Sequence, residues 1–469
     1  MKDISIIHSM VRFLGSILIL SMIGCAETKE APETVLFAGE IVNPTNTQVI
    51  LFKGSEKIDS AQLDQNNRFS FTLPTVENGL YHFNHAPEAQ YVYLEKGDSL
   101  LVRLNTIYFD ESLVFSGSNE ILNNFLLELF LAEEEEEAEM HREYYELEPS
   151  DFEDKVNSLM NDKLVRLESI KKETDISEAG YDLLKANIYY TYNRFNEIYP
   201  FQHKRKTTEE NFHELPSDFY DYREEINYND ESLTYLRPYY DFLKSHFGNL
   251  SYMTCMKGCS ADDVEASKQL HFNRHKLKLI DSLVANKELR DNLFRNVAFD
   301  YLLKKHDAPE NIEVFIKEFK TVSKNNMHIE EIENLYQRIV DLQPTHPIPN
   351  LPVVSMDNTE MTLQEIAKNK KVMFYFWSDS NKKQYQEIFK RVAEIQNNKP
   401  DYTLVGINIR TNFEDWVGIV KSSPLDPKTQ FHTNDYKQLT ETLVIYPMNK
   451  SIITDNAVIV DGFANIYNN

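Results

Sequence analysis

The 469-residue sequence contains only three cysteines, Cys25, Cys255 and Cys259. No cysteine follows position 259, so the C-terminal part of the chain cannot carry out thiol chemistry with its own side chains. Glycine is also scarce, at 13 residues, and forms no phosphate-binding loop or nucleotide-binding motif. We therefore expect no dithiol centre in the C-terminal region and no bound cofactor.

Positively charged residues are also few relative to acidic residues. The chain has 49 lysines and arginines against 74 aspartates and glutamates, which gives a formal net charge of -25. Because a surface of this sign repels phosphate backbones, we expect no nucleic-acid partner. Hydrophobic residues make up 42% of the chain and aromatic residues 12%, which is enough apolar surface for folded domains. The length predicts more than one of them.

The first 34 residues have the pattern of an export signal followed by a tether. Basic residues precede an apolar run, residues 13–23, that is too short to span a bilayer in a mature protein. The MIGC motif that follows resembles the lipobox of bacterial lipoproteins, in which the cysteine is acylated and becomes the first residue. The resemblance implies a signal peptide at 1–24, a lipid-modified Cys25 and a lipidated tether at 25–34. Ordinary secretion, with Cys25 removed, is the alternative.

Acylation of Cys25 would determine where the protein resides. Acyl chains bury their methylenes in a bilayer and hold the attached chain at its surface. Ala26, directly after this cysteine, resembles the residue found in lipoproteins released to the outer membrane. We therefore expect a lipid-anchored protein of the outer membrane or another cell-envelope membrane, facing the periplasm or the cell surface. Such a compartment is oxidising.

Three segments with different patterns follow the tether. Residues 35–118 alternate apolar and polar in short runs separated by turn residues, which predicts antiparallel strands in a β-sandwich or barrel. Residues 119–342 carry apolar residues at helical spacing and predict an α-helical insert of about eight helices. Its acidic run at 132–139 points around the helix, so we interpret it as a solvated segment and not as a metal site. Four prolines in residues 343–352 predict an extended linker.

Residues 353–469 alternate strands with helices. The strands VMFYFW and TLVGINI stand on either side of a helix that starts near Lys382, and a strand pair at SIITDNAVIV closes the region. Near-continuous apolar strands of this kind are typical of an α/β domain around a central sheet. The expected fold class is a multidomain α+β protein with an N-terminal antiparallel β-sandwich or barrel, a central helical insert and a C-terminal α/β domain.

The C-terminal region resembles the thioredoxin-like domain of TlpA-type bacterial lipoproteins. The resemblance rests on Phe376-Trp377-Ser378, on Tyr446-Pro447 at the position of the family's cis-proline, and on the closing hairpin at 452–459. The N-terminal β region is similar to the β domain of the same lipoproteins. The resemblance implies a C-terminal thioredoxin-like fold.

In that family two cysteines, two residues apart, begin the helix after Phe-Trp. The helix N-terminus lowers the pKa of the first thiol, and the resulting thiolate attacks a disulfide. The resemblance places those cysteines at Asn381 and Gln384, which cannot act as sulfur nucleophiles, so we predict a redox-inactive domain. The surface formed by Trp377, Asn381, Gln384, Tyr446 and Pro447 is predicted to bind a peptide or an anionic ligand. A structural vestige without a ligand is the alternative.

Cys255 and Cys259 stand four positions apart and are the remaining thiols. In an oxidising compartment, with Gly258 between them, they are expected to form a disulfide. His271 and His275 follow with a spacing similar to that of a two-cysteine, two-histidine zinc module. A metal site and exchangeable thiols are therefore the alternatives, although we expect no metal.

The function predicted from the sequence is that of a membrane-anchored extracytoplasmic lipoprotein whose thioredoxin-like domain is redox-inactive. Such a protein would bind an envelope protein or peptide, or would act as a scaffold. The competing hypothesis is a thiol-disulfide oxidoreductase of the TlpA-like type that uses Cys255 and Cys259.

Overall fold

A computed structural model describes residues 34–258, 268–304, 307–446 and 448–468. The predicted signal peptide, Cys25, nearly all of the tether, Cys259 and Pro447 lie outside the described residues. The chain forms two compact units that divide between Tyr192 and Asn193. This division lies inside a long helix. The domain boundaries expected near residues 118 and 342 stay predictions.

The first unit begins with eight strands: β1 Val35–Val42, β2 Gln48–Lys53, β3 Glu56–Gln62, β4 Arg68–Leu73, β5 Gly79–His85, β6 Glu88–Leu94, β7 Ser99–Asn105 and β8 Val114–Gly117. They form two four-stranded sheets, with the orders β4-β1-β7-β8 and β3-β2-β5-β6. Alternate residues of β4 are buried, as the period of two in its sequence requires. Phe37 of the first sheet packs against Phe83 of the second with ring centroids 5.5 Å apart. The two sheets therefore share one hydrophobic cluster.

A short helix, α1 Phe109–Ser112, lies between β7 and β8, and eight longer helices follow in the described ranges. These are α2 Glu120–Arg142, α3 Pro149–Glu173, α4 Glu178–Thr207, α5 Arg237–Gly258, α6 Lys268–Leu283, α7 Lys287–Lys304, α8 Pro309–Val322 and α9 Ile329–Asp341. Pro149 and Pro309 stand in the first turns of α3 and α8, where a missing N–H has no intrahelical partner to lose. None of the described helices has an apolar stretch long enough to cross a membrane.

The acidic run lies in α2, as predicted, but several of its carboxylates have side-chain partners. Glu136 accepts a hydrogen bond from Tyr192 at 2.5 Å and pairs with Lys163 at 3.3 Å. Glu134 and Glu135 are exposed to solvent. Glu139 accepts a hydrogen bond from Tyr144 at 2.8 Å and lies 3.6 Å from Arg142. The run is thus a helix segment that combines exposed carboxylates with carboxylates held by ion pairs.

The C-terminal part of the second unit contains seven strands and four helices. The strands are β9 Pro352–Val354, β10 Glu360–Thr362, β11 Lys371–Trp377, β12 Thr403–Asn408, β13 Gln430–His432, β14 Lys450–Asp455 and β15 Val458–Asn465. The helices are α10 Leu363–Ala367, α11 Lys382–Asn398, α12 Phe413–Ser422 and α13 Tyr436–Thr442. The strands form one sheet in the order β10-β9-β13-β12-β11-β14-β15. Strand β11 pairs parallel to β12 and antiparallel to β14, so the sheet is mixed, with helices between its strands along the chain.

The proline-rich linker begins with a turn at residues 343–346, in contrast to the extended chain predicted, and then pairs with the start of β15. Thr345 donates its backbone N–H to the carbonyl of Ile459 at 2.9 Å, and Ile459 donates to the carbonyl of His346 at 2.8 Å. Gly462 of the same strand lies against the backbone of Leu342, the last residue of the helical segment. A Cβ built on Gly462 would lie 2.1 Å from the Leu342 carbonyl oxygen.

We expect Gly462→Ala to destabilise the protein by about 1–3 kcal/mol, because a methyl group at this contact must displace backbone. Urea unfolding of the purified chain measures the change. Gly418→Ala is the matched control, since a Cβ at Gly418, inside α12, meets no atom within 4 Å. That control should be stabilised by about 0.5–1 kcal/mol through helix propensity. Equal stability of the two variants would contradict the assigned contact.

Candidate functional site

A cleft of about 430 Å³ opens beyond the carboxyl ends of β11 and β12. In open α/β sheets this edge is where ligands bind, because connections leave the strands in different directions there. The lining residues come from the turns after the two strands, from α13 and from the segment before β14: Ser378, Ser380, Ile409, Arg410, Tyr436, Lys437, Thr440, Glu441, Ile445, Tyr446 and Met448.

Hydrogen bonds fix the floor of the cleft. The hydroxyl of Ser378 lies 2.8 Å from that of Ser380 and accepts the Ser380 backbone N–H at 3.2 Å. The backbone N–H of Asp379 donates to the Thr411 hydroxyl at 3.1 Å. Thr411 in turn accepts from the side-chain amide of the buried Asn408 at 2.8 Å. The turn after β11 is thereby tied to the turn after β12.

Asn381 caps helix α11 with its side chain. Its Oδ1 accepts the backbone N–H of Gln384 at 3.0 Å, in the geometry of an N-cap residue. This donor is one of the free N–H groups that a helix start can offer to an anion. Neither Asn381 nor Gln384 is among the residues that line the cleft, and both are exposed. These two residues of the predicted binding surface therefore lie outside the cleft.

Trp377 does not line the cleft, in contrast to the prediction from the sequence. Its side chain has no exposed surface. The indole packs edge-on against Phe389 of α11, with centroids 4.9 Å apart, and near Tyr385 at 5.9 Å. As the last residue of a strand buried on both faces, it belongs to the core beneath the turn.

Tyr446 does line the cleft, and its ring is half exposed. It lies edge-on to Phe299 of α7, with centroids 6.3 Å apart. Partial burial raises the pKa of the Tyr446 phenol, so the group stays neutral at physiological pH. The neighbouring Pro447, the other half of the predicted pair, lies outside the described residues.

The charged residues of the cleft are mainly cationic. The Arg410 guanidinium lies 5.1 Å from the centre of the Tyr436 ring, and Lys437 is well exposed. The carboxylate of Glu441 is paired with Arg338 of α9 at 3.2 Å. Lys437 also lies 4.0 Å from Oε1 of Glu441, so this carboxylate has cationic partners on two sides, and the cations of the cleft outnumber its one carboxylate. The cleft is suited to an acidic group in a protein of strongly negative overall charge.

The cysteine pair is only partly described. Cys255 is 2% exposed near the end of α5 and is disulfide-bonded, and its sulfur lies 2.5 Å from Nε2 of His271. Pairing with Cys259 stays a prediction. Burial lowers the pKa of His275, which favours the neutral ring. Cys255 does not line the cleft.

The sequence analysis missed a buried charge cluster in the helices. Glu197 of α4 has no exposed side-chain surface and accepts hydrogen bonds from Arg223 at 2.9 Å and His246 at 2.7 Å. Burial acts to raise the pKa of Glu197, but the bonds from His246 and Arg223 outweigh it, so the pKa is lowered. The cluster borders a second cavity of about 460 Å³. Its members lie far apart in the sequence and share no motif, so no local signal could have identified them.

Comparison with known proteins finds similarity only at the level of structure. No protein-family profile matches the chain, and no curated protein matches it. Among solved structures, the thioredoxin domain of a thiol-disulfide oxidoreductase from Bacteroides vulgatus is 19% identical, with a TM-score of 0.23, over 27% of this chain and 94% of that one. A thiol:disulfide interchange protein from a Bacteroides species is 19% identical, with a TM-score of 0.22, over 26% and 81%. A thioredoxin-like protein from Bacteroides caccae is 10% identical, with a TM-score of 0.32, over 52% and 86%.

A buried lysine supports the segment that forms one wall of the cleft. Lys450, at the start of β14, is 5% exposed and donates from Nζ to the carbonyls of Leu443 at 2.6 Å and Val444 at 3.3 Å. Burial lowers the pKa of Lys450 to about 7. Its neighbours are the ring of Phe463, 4.1 Å from Nζ, and the charge of Asp461, which acts in the opposite direction to burial.

We predict that wild-type stability rises relative to Lys450→Met between about pH 7 and the ordinary lysine pKa of 10.5. In this window the unfolded chain holds a proton that the folded chain does not, so raising the pH favours folding by up to about 1.4 kcal/mol per unit. Denaturant titrations of both proteins across the window measure the difference. Lys371→Met is the control, because the ion pair with Asp401 raises the pKa of the exposed Lys371, so its contribution is constant there. A difference between wild type and Lys450→Met that does not change with pH would contradict this prediction.

Proposed function

We propose that the C-terminal domain is a redox-inactive, thioredoxin-like module that binds an acidic peptide segment of an envelope protein. The observation that carries the proposal is the cleft itself, which offers Arg410, Lys437 and two tyrosines at the edge where the dithiol family has its reactive sulfur. A guanidinium binds a carboxylate with two parallel hydrogen bonds, and an aromatic face beside it excludes water from the contact.

The mixed sheet supports the thioredoxin-like part of the proposal. A central strand β11, parallel to β12 and antiparallel to the closing hairpin, carries the cleft at its carboxyl end. The N-cap bond of Asn381 supports redox inactivity, because an amide oxygen accepts the helix N–H that a thiolate would need for stabilisation.

The rest of the chain would place this module in the cell envelope. We infer that Cys25 is acylated, that the protein is held at a membrane by this lipid, and that residues 35–118 form a β-sandwich that spaces the module from the bilayer. The two four-stranded sheets with a shared core support the sandwich. The export motif supports the anchor.

The binding proposal predicts that reversing the two cleft cations abolishes capture of the partner. Arg410→Glu/Lys437→Glu should lose proteins that the wild-type chain retains from detergent-solubilised envelope, since like charges then face the acidic segment. Quantitative mass spectrometry of the retained proteins measures the loss, which we expect to be at least about tenfold, equivalent to 1.4 kcal/mol.

Lys382→Glu/Lys383→Glu is the matched control. It makes the same charge change at the start of α11, outside the residues that line the cleft, and should retain the partner. Identical capture by wild type and by the cleft variant would overturn the binding site. Loss of partner capture in the control variant alone would indicate that the binding site is at the start of α11.

The second candidate function is thiol-disulfide exchange through Cys255 and Cys259. The specific observation in its favour is the contact between the Cys255 sulfur and the His271 ring, since a nearby imidazole can activate a thiol. Against it, Cys255 is almost fully buried and access is needed for exchange.

We expect no insulin-reducing activity in the purified chain, with wild type and Cys255→Ser both at the uncatalysed rate. The physical reason is that the exposed helix start at Asn381 has no sulfur and that the one described cysteine is not accessible. Turnover in a dithiothreitol-driven insulin assay measures this. Catalysis that disappears in Cys255→Ser would establish the oxidoreductase instead.

A further inference from the structure

Two histidines and a glutamate converge at the C-terminal end of helix α4. Oε1 of Glu209 lies 3.8 Å from Nε2 of His203 and 3.3 Å from Nδ1 of His213. One ligand atom from each of the three residues lies within 4.8 Å of the others. His203 is buried in the last turns of α4, and the other two side chains are each 35% exposed.

The chain after α4 folds back on the helix through contacts that involve no metal. Lys204 donates from Nζ to the carbonyl of Glu210 at 2.6 Å. Phe212 lies edge-on to Phe201, with centroids 5.4 Å apart, and the ring of His213 lies edge-on to that of His203 at 5.3 Å. The three donor atoms are therefore held together by packing before any ion binds.

This donor set matches the chemistry of first-row transition metals. Two imidazole nitrogens and one carboxylate oxygen suit Zn²⁺ and related divalent ions, whose bonds of about 2.0–2.2 Å place neighbouring donors of a tetrahedral site about 3.3–3.6 Å apart. Of the two separations from Oε1 of Glu209, the 3.3 Å to His213 is in this range and the 3.8 Å to His203 is slightly above it. The side chains of Glu209 and His213 are partly exposed, so rotation about their own bonds would bring the donor atoms to the distances that a metal requires. We propose that His203, Glu209 and His213 form a binding site for a divalent transition metal, with Zn²⁺ as the ion that fits best.

Two of the three proposed ligands are partly exposed, so the metal site would be open to solvent. Three protein ligands leave at least one coordination position of a tetrahedral ion without a protein donor, and that position would face solvent on the side of Glu209 and His213. A site with an open position takes water or a small anion as its further ligand. A buried four-ligand site would not.

Metal binding would also order a wall of the neighbouring cavity. Phe212, between the two loop ligands, contacts Tyr252 with centroids 5.2 Å apart. Tyr252 and Phe201 both line the 460 Å³ cavity beside Glu197. An ion held by Glu209 and His213 would fix Phe212 against these two rings.

Zinc binding to the full chain, produced without a polyhistidine tag and stripped with chelator, tests the proposal. In equilibrium dialysis against Zn²⁺ with elemental analysis, the wild-type chain should bind one equivalent of zinc at this site with a Kd of about 1 µM or tighter. His213→Ala should lose this equivalent. We expect His213→Ala and the isosteric Glu209→Gln to weaken binding by at least about 100-fold, since even residues that only orient metal ligands contribute 10–100-fold. Co²⁺ absorption reports the coordination directly and would disappear in the same variants.

Two controls separate this site from other sources of binding. His346→Ala removes an exposed histidine outside the cluster, and Cys255→Ser removes the described cysteine beside His271; both should keep the equivalent. Circular dichroism of each variant shows whether a loss of zinc binding is caused by unfolding. The isosteric Glu209→Gln is the variant least expected to disturb the fold. Absence of stoichiometric zinc in folded wild type, retention of the equivalent in His213→Ala, or its loss in Cys255→Ser would overturn the assignment.

Discussion

Strand β11 is the constraint on which the C-terminal domain depends. It is hydrogen-bonded to β12 on one side and to β14 on the other, and all of its residues after Lys371 are buried. Because both edges of the strand are hydrogen-bonded and both faces are buried, its register is fixed. The turn that follows it is therefore held in one place. The serines of the cleft and the cap of α11 are both consequences of where this strand ends.

The order of strands and helices in the C-terminal region follows from the sequence because its apolar runs are long. Helix α11 begins at Lys382, as the pattern predicts, and Thr362 forms a capping box with Glu365 at the start of α10. Strand β13 could not be predicted, since it has three residues and includes Gln430. That residue is buried and accepts a hydrogen bond from Tyr375 of the sheet core at 3.2 Å. Only the fold supplies this partner, which a local pattern cannot reveal.

The candidate sites show the same limit. The absence of sulfur at Asn381 and Gln384 is visible in the sequence, and the predicted redox inactivity rests on it. The cations of the cleft, Arg410 and Lys437, come from a turn and a helix that are distant in the sequence. Of the two aromatic residues in the predicted surface, Tyr446 lines the cleft and Trp377 is buried, because a residue at a strand end gives no local signal of whether it points into the core or out of it. Likewise Glu209 and His213 become neighbours of His203 only after the chain has reversed direction beyond α4. The spacing of these residues in the sequence does not predict such a reversal.

The pairing of the proline-rich linker with β15 has a consequence for how the domain avoids self-association. Strand β15 is the last strand of its sheet, and an unpaired edge is a template for the strand of another molecule. Residues 345–348 cover the start of this edge through backbone bonds to Ile459 and Ala457, and Pro347 in the covering segment cannot donate to a further strand. A fragment that began after the linker would expose β15, so the segment that joins the helices to the sheet also protects the sheet from aggregation.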